Sequence, residues 1–360
     1  MKHFHKLEVA RIEPETPDSV CVYLSVPEEL RDEYAFVQGQ HLPVRAEING
    51  EQVRRTYSIC SAINDPELRI GVRVQKNGLF SGYIARTLKA GDMLEVMPPV
   101  GHFQTPLSAE KKKNYVAFVS GSGITPLLSI VQTTLATEPQ SRFFLFYANR
   151  TQESTMFLEE LYALKNQYPD RLSLHFVFSR EEQEFEIASG RFDADKVRQL
   201  YQGFCAGLTA DEVFICGPGT MIDTVKETLV ELGIGSGNIH SERFAVSKKT
   251  EKTPKAVAPQ PTEEAEGIAS VTVILDGHTK KFSMPMDGMT VLEAGREHGL
   301  DLPASCEAGV CSTCRTHLRE GKVEMEENYA LEAWEVEEGF ILACQAHPLS
   351  RTLIIDYDKA

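Results

Sequence analysis

The sequence predicts a chain of several domains: an antiparallel β-barrel, a doubly wound α/β domain and a small α+β domain of the β-grasp type. Three observations support this prediction. Short alternating strands fill the first hundred residues, a pattern of strand, glycine loop and helix begins at Asn114, and a proline-rich charged segment precedes the last domain. The length of 360 residues also exceeds the size of one typical hydrophobic core.

The first part of the chain, residues 1–106, alternates apolar and polar residues over short segments that proline and glycine separate. The pattern predicts strands at Leu7–Ile12, Ser19–Val26, His41–Ile48, Arg54–Ile59 and Leu68–Gln75. Short antiparallel strands at this spacing are typical of a barrel.

In the second part, residues 107–245, strands alternate with helices. A strand at Tyr115–Val119 is followed by a glycine loop at Gly121–Pro126 and a helix at Leu127–Leu135. Further strands are predicted at Phe143–Tyr147, Leu172–Phe178 and Val213–Cys216, with helical stretches between them. This alternation predicts a doubly wound α/β domain.

Residues 246–268 are predicted to be an extended linker, because they hold three prolines and many charges without any periodicity. Beyond the linker, Ser270–Leu275 and Lys280–Met284 alternate around Asp276-Gly277, which predicts a β-hairpin. Thr290–His298 predicts a short helix that ends at Gly299. Residues 269–360 are therefore expected to form a small separate domain.

The charge and composition exclude several classes of partner. A net charge of −15 argues against binding to nucleic acid or to an anionic membrane surface. The N-terminus lacks the apolar stretch of a signal peptide, and no run approaches the ~18 apolar residues of a membrane span. Eight cysteines without a secretory signal indicate a reducing compartment, so we expect a cytoplasmic protein.

Four cysteines in the last domain carry the most specific chemical signal. Cys306, Cys311, Cys314 and Cys344 have the spacing C-x4-C-x2-C-x29-C. This is the plant-type spacing by which four thiolates hold a [2Fe–2S] cluster, and it indicates one-electron transfer. The alternatives are a structural zinc site or a chance group of buried thiols. Zinc sites more often pair C-x2-C with a second C-x2-C or with histidines.

Two short motifs in the barrel region have the chemistry that a flavin requires. Arg55-Thr56-Tyr57-Ser58 supplies a cation, a flat aromatic ring and a hydroxyl within four residues. Gly78-Leu79-Phe80-Ser81 offers backbone N–H groups and a hydroxyl to phosphates. A tyrosine in a strand usually belongs to the core, but the two motifs precede a nucleotide-binding pattern, and together they predict FAD.

The glycine loop of the second part predicts a nicotinamide dinucleotide. Gly121 and Gly123 lie at a strand-to-helix turn, where glycine permits close approach of a pyrophosphate, although Pro126 replaces the third glycine of the usual fingerprint. The second strand ends without a carboxylate for a ribose 2′-hydroxyl. Because Ser179 and Arg180 follow the next strand and offer a 2′-phosphate site, NADPH is favoured over NADH, although an exposed arginine is the alternative interpretation.

The order of these motifs resembles the ferredoxin–NADP reductase superfamily over residues 1–245. With a plant-type ferredoxin at the C-terminus, the whole chain is similar to the reductase subunits of the phenylacetyl-CoA epoxidase family of multicomponent oxygenases. Supporting segments are Gly39-Gln40-His41, Ile215-Cys216-Gly217-Pro218, His240-Ser241-Glu242-Arg243-Phe244 and the segment from Met325 to Glu332.

The resemblance implies roles for individual residues. The FAD contacts that it implies are Arg55, Tyr57, Ser58, Val72, Arg73, Gly78, Leu79, Phe80 and Ser81. Beside the glycine-loop residues Gly121, Gly123 and Pro126, the NADPH contacts that it implies are Thr125, Ser179, Arg180, Cys216, Gly217 and Met221. Ser58, Cys216, Glu242 and Phe244 are the expected catalytic residues. Phe244 replaces the tyrosine common in plant-type members, which preserves ring stacking and removes a hydroxyl.

The function that the resemblance implies is electron transfer from NADPH through FAD and a [2Fe–2S] cluster to a terminal oxygenase. The expected oxygenase is the phenylacetyl-CoA epoxidase of phenylacetate degradation. Two alternatives use the same sequence features: the reductase of a Rieske-type aromatic-ring or steroid hydroxylase, and a non-enzymatic zinc-binding interaction protein. An enzyme that releases free reduced flavin would not need the C-terminal domain.

Overall fold

The computed structural model describes residues 3–244 and 267–359. The chain divides into two compact units, one formed by Phe4–Phe244 and the other by the C-terminal part of the chain. The predicted linker lies outside the described residues except for Gly267 and Ile268, its last two positions. Within the described ranges, no helix is long and apolar enough to cross a membrane.

The first unit begins with a six-stranded antiparallel sheet and one helix, α1, at Leu79–Arg86. The strands are β1 His5–Thr16, β2 Ser19–Ser25, β3 His41–Ile48, β4 Glu51–Ser58, β5 Leu68–Arg73 and β6 Met93–Val96. Their order in the sheet is β4-β3-β6-β1-β2-β5. The buried side chains of these strands form one apolar core that includes Leu7, Val22, Leu42 and Ile70.

The two outer strands of this sheet meet and close it into a barrel. Ile59, directly after β4, forms an antiparallel bridge with Ile70 of β5. The N–H of Cys60 donates to the carbonyl oxygen of Arg69 at 2.9 Å. Closure satisfies backbone groups that an open sheet edge would leave unpaired.

The rest of the first unit is a parallel five-stranded sheet between helices. Its strands are β7 Asn114–Ser120, β8 Arg142–Asn149, β9 Leu172–Phe178, β10 Glu212–Gly217 and β11 Ile239–Arg243. The helices are α2 Ile124–Thr137, α3 Leu158–Gln167, α4 Ala194–Phe204 and α5 Gly219–Glu231. The strand order β11-β10-β7-β8-β9 places β7 at the centre, and the loop after β7 leads directly into α2.

Barrel and parallel sheet pack directly against each other along β5. A Cβ atom at Gly71 of β5 would lie 2.9 Å from both the Thr125 methyl group and the Phe157 ring. Arg69 of the same strand forms a bidentate pair with Glu160 of α3, with N–O distances of 3.0 and 2.8 Å. Glycine at position 71 therefore permits close packing of β5 on the start of α2.

The second unit contains a mixed sheet with a short helix packed on it. Its strands are β12 Ile268–Leu275, β13 His278–Pro285, β14 Arg315–Glu320, β15 Val323–Met325, β16 Phe340–Leu342, β17 Ala346–Pro348 and β18 Thr352–Asp356. Its helices are α6 Val291–Glu297 and α7 Ala333–Glu337. The main sheet has the order β13-β12-β18-β14-β16, and β15 pairs with β17.

Most differences between the predicted and observed elements concern their ends. β1 is longer than predicted because β6 pairs with its first part and β2 with its second. The expected glycine loop is one turn of 3-10 helix at Gly121–Gly123 that continues into α2, so this helix begins at Ile124. The short elements α1, β6 and β11 were not predicted, because their sequences show no apolar periodicity of their own.

Candidate functional site

The R-x-Y-S motif lies at the end of β4, beside the start of β3. Strand alternation places Arg55, which is exposed, and Tyr57, which is half-buried, on one face. Ser58 is buried and lies opposite His41 in the register of β3 and β4. Burial raises the pKa of the Tyr57 hydroxyl despite the opposing effect of Arg55, so Tyr57 is neutral and suited to stacking.

The G-x-x-S motif forms the start of α1. Gly78 is the N-cap residue, and no described side chain caps this helix, so its first-turn N–H groups are available to an anion. A Cβ atom at Gly78 would lie 2.5 Å from the Ser81 Oγ, which accepts the N–H of Gln75 at 3.1 Å. The Phe80 ring lies in the barrel core, with its centroid 6.1 Å from that of Tyr57. The Phe80 side chain is therefore unavailable to a ligand, and only its backbone could contact one.

Val72 and Arg73, the last residues of β5, have different surroundings. The Val72 side chain packs in the barrel core, which leaves only its backbone for a ligand. The Arg73 guanidinium donates to the carbonyl oxygen of Ser154, and its Nε lies 3.6 Å from the Asp18 carboxylate. A Cβ atom at Gly121 would lie 3.8 Å from the Arg73 Nη1, so this cation also reaches the glycine loop.

The glycine loop packs tightly on the end of β10. Gly121 has a φ of +56°, and its carbonyl oxygen accepts the hydroxyl of Tyr147 at 2.9 Å. A Cβ atom at Gly123 would lie 2.5 Å from the carbonyl oxygen of Cys216 and 3.1 Å from its sulfur. Pro126 is the third residue of α2, where its missing N–H costs no helical hydrogen bond.

Cys216 and Glu242 come together at the carboxyl ends of adjacent parallel strands. Cys216 of β10 pairs in register with Glu242 of β11. Complete burial raises the pKa of the Cys216 thiol well above its usual value, and the nearby Glu242 carboxylate raises it further. Gly217 follows, and a Cβ atom there would lie 2.8 Å from the Met221 methyl carbon. The thiol is therefore a neutral group at the glycine loop.

Glu242 also reaches the barrel, through His41, to which the sequence analysis gave no role. Glu242 Oε1 lies 3.5 Å from the Nδ1 of His41, and both side chains are almost fully buried. The other carboxylate oxygen, Oε2, is buried without a hydrogen-bond partner among the described residues. A buried carboxylate oxygen of this kind needs a donor, which a bound ligand can supply. Phe244, the last described residue of the first unit, is 42% exposed.

Ser179 and Arg180 directly follow β9, and their backbone pairs with the last residue of β8 and the residue after it. The N–H of Ser179 donates to the Asn149 carbonyl oxygen at 3.0 Å, and that of Arg180 donates to the Arg150 carbonyl oxygen at 2.9 Å. Arg150 and Arg180 are both exposed, so two cations occupy neighbouring strand ends. Arg150 was not among the residues predicted from the sequence, although its position three residues beyond the predicted strand Phe143–Tyr147 was an available signal.

The four cysteines of the second unit lie in and beside one loop. Cys306 is half-buried, Cys311, Cys314 and Cys344 are buried, and none of the eight cysteines of the chain forms a disulfide. The neighbouring thiols influence one another. The Cys311 thiol lowers the pKa of Cys306, but the Cys344 thiol and burial raise it overall. The Cys344 pKa is raised to about 12, because Cys314 and burial outweigh the lowering effect of Cys306.

The loop backbone is tightly folded between the cysteines. Glu307, Gly309 and Ser312 have φ values of +51°, +70° and +49°, which fold the chain tightly between the cysteines. The N–H of Ala308 points at the Cys306 sulfur, at 3.4 Å. Among the described residues, no group of three or more His, Cys, Asp or Glu side chains is already arranged to hold a metal ion. Four neighbouring thiols with N–H donors fit a [2Fe–2S] cluster.

Three protein families match consecutive parts of the chain. The oxidoreductase FAD-binding domain matches residues 6–105, and the oxidoreductase NAD-binding domain matches residues 118–227. The 2Fe-2S iron-sulfur cluster binding domain matches residues 273–349. Each of the three predicted cofactor classes therefore has a matching domain.

Two curated relatives align over nearly the whole chain. One is a subunit of the 1,2-phenylacetyl-CoA epoxidase of Escherichia coli strain K12, which is 40% identical over 358 residues, or 99% of this chain and 99% of that protein. The other is the ferredoxin reductase component of the 3-ketosteroid-9-alpha-monooxygenase of Rhodococcus rhodochrous. It is 34% identical over 354 residues, which are 98% of this chain and 96% of that protein.

Two solved structures match this chain over 98% of its length. Phthalate dioxygenase reductase, a modular structure for electron transfer from pyridine nucleotides to [2Fe–2S], has a TM-score of 0.58 and 25% identity, and 98% of it is covered. An intact type IV self-sufficient cytochrome P450 monooxygenase has a TM-score of 0.68. At 20% identity this second match shows the fold alone, and the chain spans 41% of that protein.

Proposed function

We propose that this protein reduces the oxygenase component of a phenylacetyl-CoA epoxidase. The chain belongs to the family of oxygenase reductase components that includes the subunit of the Escherichia coli 1,2-phenylacetyl-CoA epoxidase. The chain is an oxidoreductase with FAD-binding, NAD-binding and 2Fe-2S domains. The observation that carries the proposal is the 40% identity over 99% of both chains. An alignment of this extent includes all three domains.

The proposed domains are the FAD-binding barrel at 1–106, the nucleotide-binding domain at 107–245, a linker at 246–268 and the ferredoxin domain at 269–360. The first boundary is supported by the interval between β6, which ends at Val96, and β7, which begins at Asn114. The last boundary is supported by β12, which begins at Ile268.

The division of roles among cofactors follows from their electron chemistry. When bound, a flavin accepts two electrons as one hydride and releases them singly, which is what a one-electron cluster can accept. On the protein side, Tyr57 would stack on the flat ring and the Ser58 hydroxyl would lie at its edge. The uncapped start of α1 would bind the FAD pyrophosphate, with Gly78 allowing close approach.

At the nicotinamide end, Glu242 and Cys216 would position the coenzyme. The buried Glu242 Oε2 would accept a hydrogen bond from the carboxamide, which is the donor that this oxygen needs. The Cys216 thiol stays protonated because burial raises its pKa, so it adds no second negative charge. Phe244 would cover the flavin ring where the reductase module ends.

The proposed coenzyme is NADPH, and the support is the pair of exposed arginines at the ends of β8 and β9. Arg150 and Arg180 lie just beyond the ends of these adjacent strands, and the N–H of Arg180 donates to the carbonyl oxygen of Arg150 at 2.9 Å. Guanidinium groups bind phosphate oxygens in a bidentate manner. The Ser179 hydroxyl, which donates to the Asn149 carbonyl oxygen at 3.3 Å, would be a further donor to the phosphate. NADH lacks the phosphate that would neutralise these two cations.

Cys306, Cys311, Cys314 and Cys344 are the proposed cluster ligands, and the cluster would be the donor to the oxygenase. A partner that approaches a chain of net charge −15 is expected to present basic residues. The cytoplasm is the proposed location, because eight cysteines without a disulfide suit a reducing compartment.

A reconstituted reaction tests the assignment. The purified protein, NADPH and the oxygenase subunits of a phenylacetyl-CoA epoxidase should consume phenylacetyl-CoA in proportion to the coenzyme oxidised. The second candidate is a steroid monooxygenase reductase, which the 34% identity over 98% of the chain favours. Efficient turnover with the oxygenase of a 3-ketosteroid monooxygenase, and none with the epoxidase, would replace the first proposal with the second.

A further inference from the structure

Gln345 directly follows the fourth cysteine, and its side chain reaches back to the loop of the first three. This side chain is buried, with 6% of the residue exposed. Its Nε2 lies 3.2 Å from the carbonyl oxygen of Glu307, 2.9 Å from that of Cys344 and 3.5 Å from the Cys344 sulfur. One carboxamide therefore joins the loop of the first cysteine to the fourth cysteine.

The peptide that Gln345 holds is in an unfavourable conformation. Glu307 has a φ of +51°, a region that residues other than glycine avoid because the Cβ atom crowds the backbone. The N–H of the next residue, Ala308, points at the Cys306 sulfur at 3.4 Å. A donor on the Glu307 carbonyl oxygen fixes this peptide plane and therefore the direction of the Ala308 N–H.

The loop also packs closely around the Gln345 side chain. Gly309 has a φ of +70°, and a Cβ atom there would lie 3.3 Å from the Gln345 Cγ. The Gln345 backbone is also held in place, because its carbonyl oxygen accepts a hydrogen bond from the N–H of Glu326 at 3.0 Å. The side chain thus has one defined position between the two groups of ligands.

We propose that Gln345 is a positioning residue of the iron–sulfur site, whose carboxamide holds the cysteine loop closed on Cys344 and donates to the Cys344 sulfur. The inference rests on the proposed ligation by the four cysteines. A donor at a ligand sulfur stabilises the added negative charge of the reduced cluster and so raises its reduction potential. A loop held closed also slows the loss of iron.

The main test replaces Gln345 with methionine, which has the same length but no N–H group. The matched control is Thr279→Val, which removes a hydroxyl from an exposed position on β13 of the same domain. We expect Gln345→Met to lower the equilibrium constant for cluster reduction about tenfold, which is 59 mV for a one-electron couple. We also expect faster iron loss to a chelator, with the reduction of FAD by NADPH unchanged.

A second measurement uses the unmodified protein and does not depend on how the variant folds. Gln345 is the only glutamine between residues 267 and 359, so 15N label in glutamine side chains reports on this carboxamide alone in that domain. Pulsed electron paramagnetic resonance of the reduced cluster should detect a coupling to the labelled nitrogen.

The outcomes separate this inference from the function on which it rests. A parent protein without two irons per chain would overturn the proposed ligation and this inference together. With two irons present, an absent nitrogen coupling, or a Gln345→Met potential and iron-loss rate equal to those of Thr279→Val, would overturn only the role of Gln345.

Discussion

At the residue scale, the proposed preference for NADPH rests on two arginines that are 30 positions apart in the sequence. Arg150 and Arg180 become neighbours only because β8 and β9 are adjacent and parallel, so that the chain leaves both strands at the same edge of the sheet. The hydrogen bond from the Arg180 N–H to the Arg150 carbonyl oxygen holds the two backbone segments together.

Arg180→Ala should weaken the use of NADPH far more than that of NADH, because it removes a cation that would face the 2′-phosphate. Hydrogen bonds to charged groups contribute about 1.5–3 kcal/mol, so the ratio of kcat/KM values should change tenfold or more. Arg150→Ala should act in the same direction. Arg191→Ala, at another exposed arginine, is the control. Equal losses for both coenzymes would show that Arg180 is not a phosphate ligand.

Tyr57→Ala should release FAD more readily, because a stacking surface and its buried area are both lost. Tyr57→Phe is the control, since it retains the ring beside Phe80 and removes only the hydroxyl. The measurement is the dissociation constant of FAD from the apoprotein. An alanine variant that binds FAD as tightly as the parent would contradict the proposed role of the barrel motif.

At the scale of the element, the turn from β7 into α2 requires glycine for reasons of packing. The backbone of Gly123 lies so close to Cys216 that a side chain has no space. The same contact places the start of α2 directly beside the end of β10, which is where the expected nicotinamide contacts are found.

Gly123→Ala should destabilise the first unit by about 1–3 kcal/mol, the usual cost of overpacking, and should weaken coenzyme binding. Gly203→Ala is the matched control, because Gly203 lies in α4 with no atom within 4 Å of a new Cβ. That variant should be more stable by about 0.4–1 kcal/mol. Thermal unfolding and NADPH titration measure both effects, and a neutral Gly123→Ala variant would disprove the close packing.

The loop from Cys306 to Cys314 is the second element whose function depends on its backbone. Cys311→Ser should remove the visible absorption of the cluster and its iron, while FAD and its reduction by NADPH are retained. Cys205→Ser, at a buried cysteine of the other unit, should keep both irons. Zinc in place of iron in anaerobically prepared parent protein would contradict the cluster assignment.

At the scale of the whole molecule, the two compact units separate the proposed sites of electron entry and electron exit. All proposed flavin and coenzyme residues belong to Phe4–Phe244, and all four proposed cluster ligands belong to the other unit. Each unit has a hydrophobic core of its own, so each is expected to fold without the other.

A protein that ends at Phe244 should bind FAD and reduce ferricyanide with NADPH, but it should not support oxygenase turnover. Residues 269–360 supplied as a separate protein should restore some turnover at high concentration, because a linker acts by raising the effective concentration. Full turnover by the truncated protein alone would show that electrons leave from the flavin.

The sequence by itself determined the fold class, the three cofactor classes and the family, and the domain matches agree with all of them. This was possible because the relevant signals are local. The spacing of Cys306, Cys311 and Cys314, the R-x-Y-S motif and the glycine loop each lie within a few residues of chain, and strand alternation depends only on neighbouring positions.

Only the tertiary structure decided which distant residues meet. His41 approaches Glu242, Arg150 lies beside Arg180, and Gln345 reaches the carbonyl oxygen of Glu307. These contacts follow from the order of strands in the sheets and from loop closure, which no short stretch of sequence encodes. Local composition therefore determined the chemical groups that are present, and packing decided which of them act together.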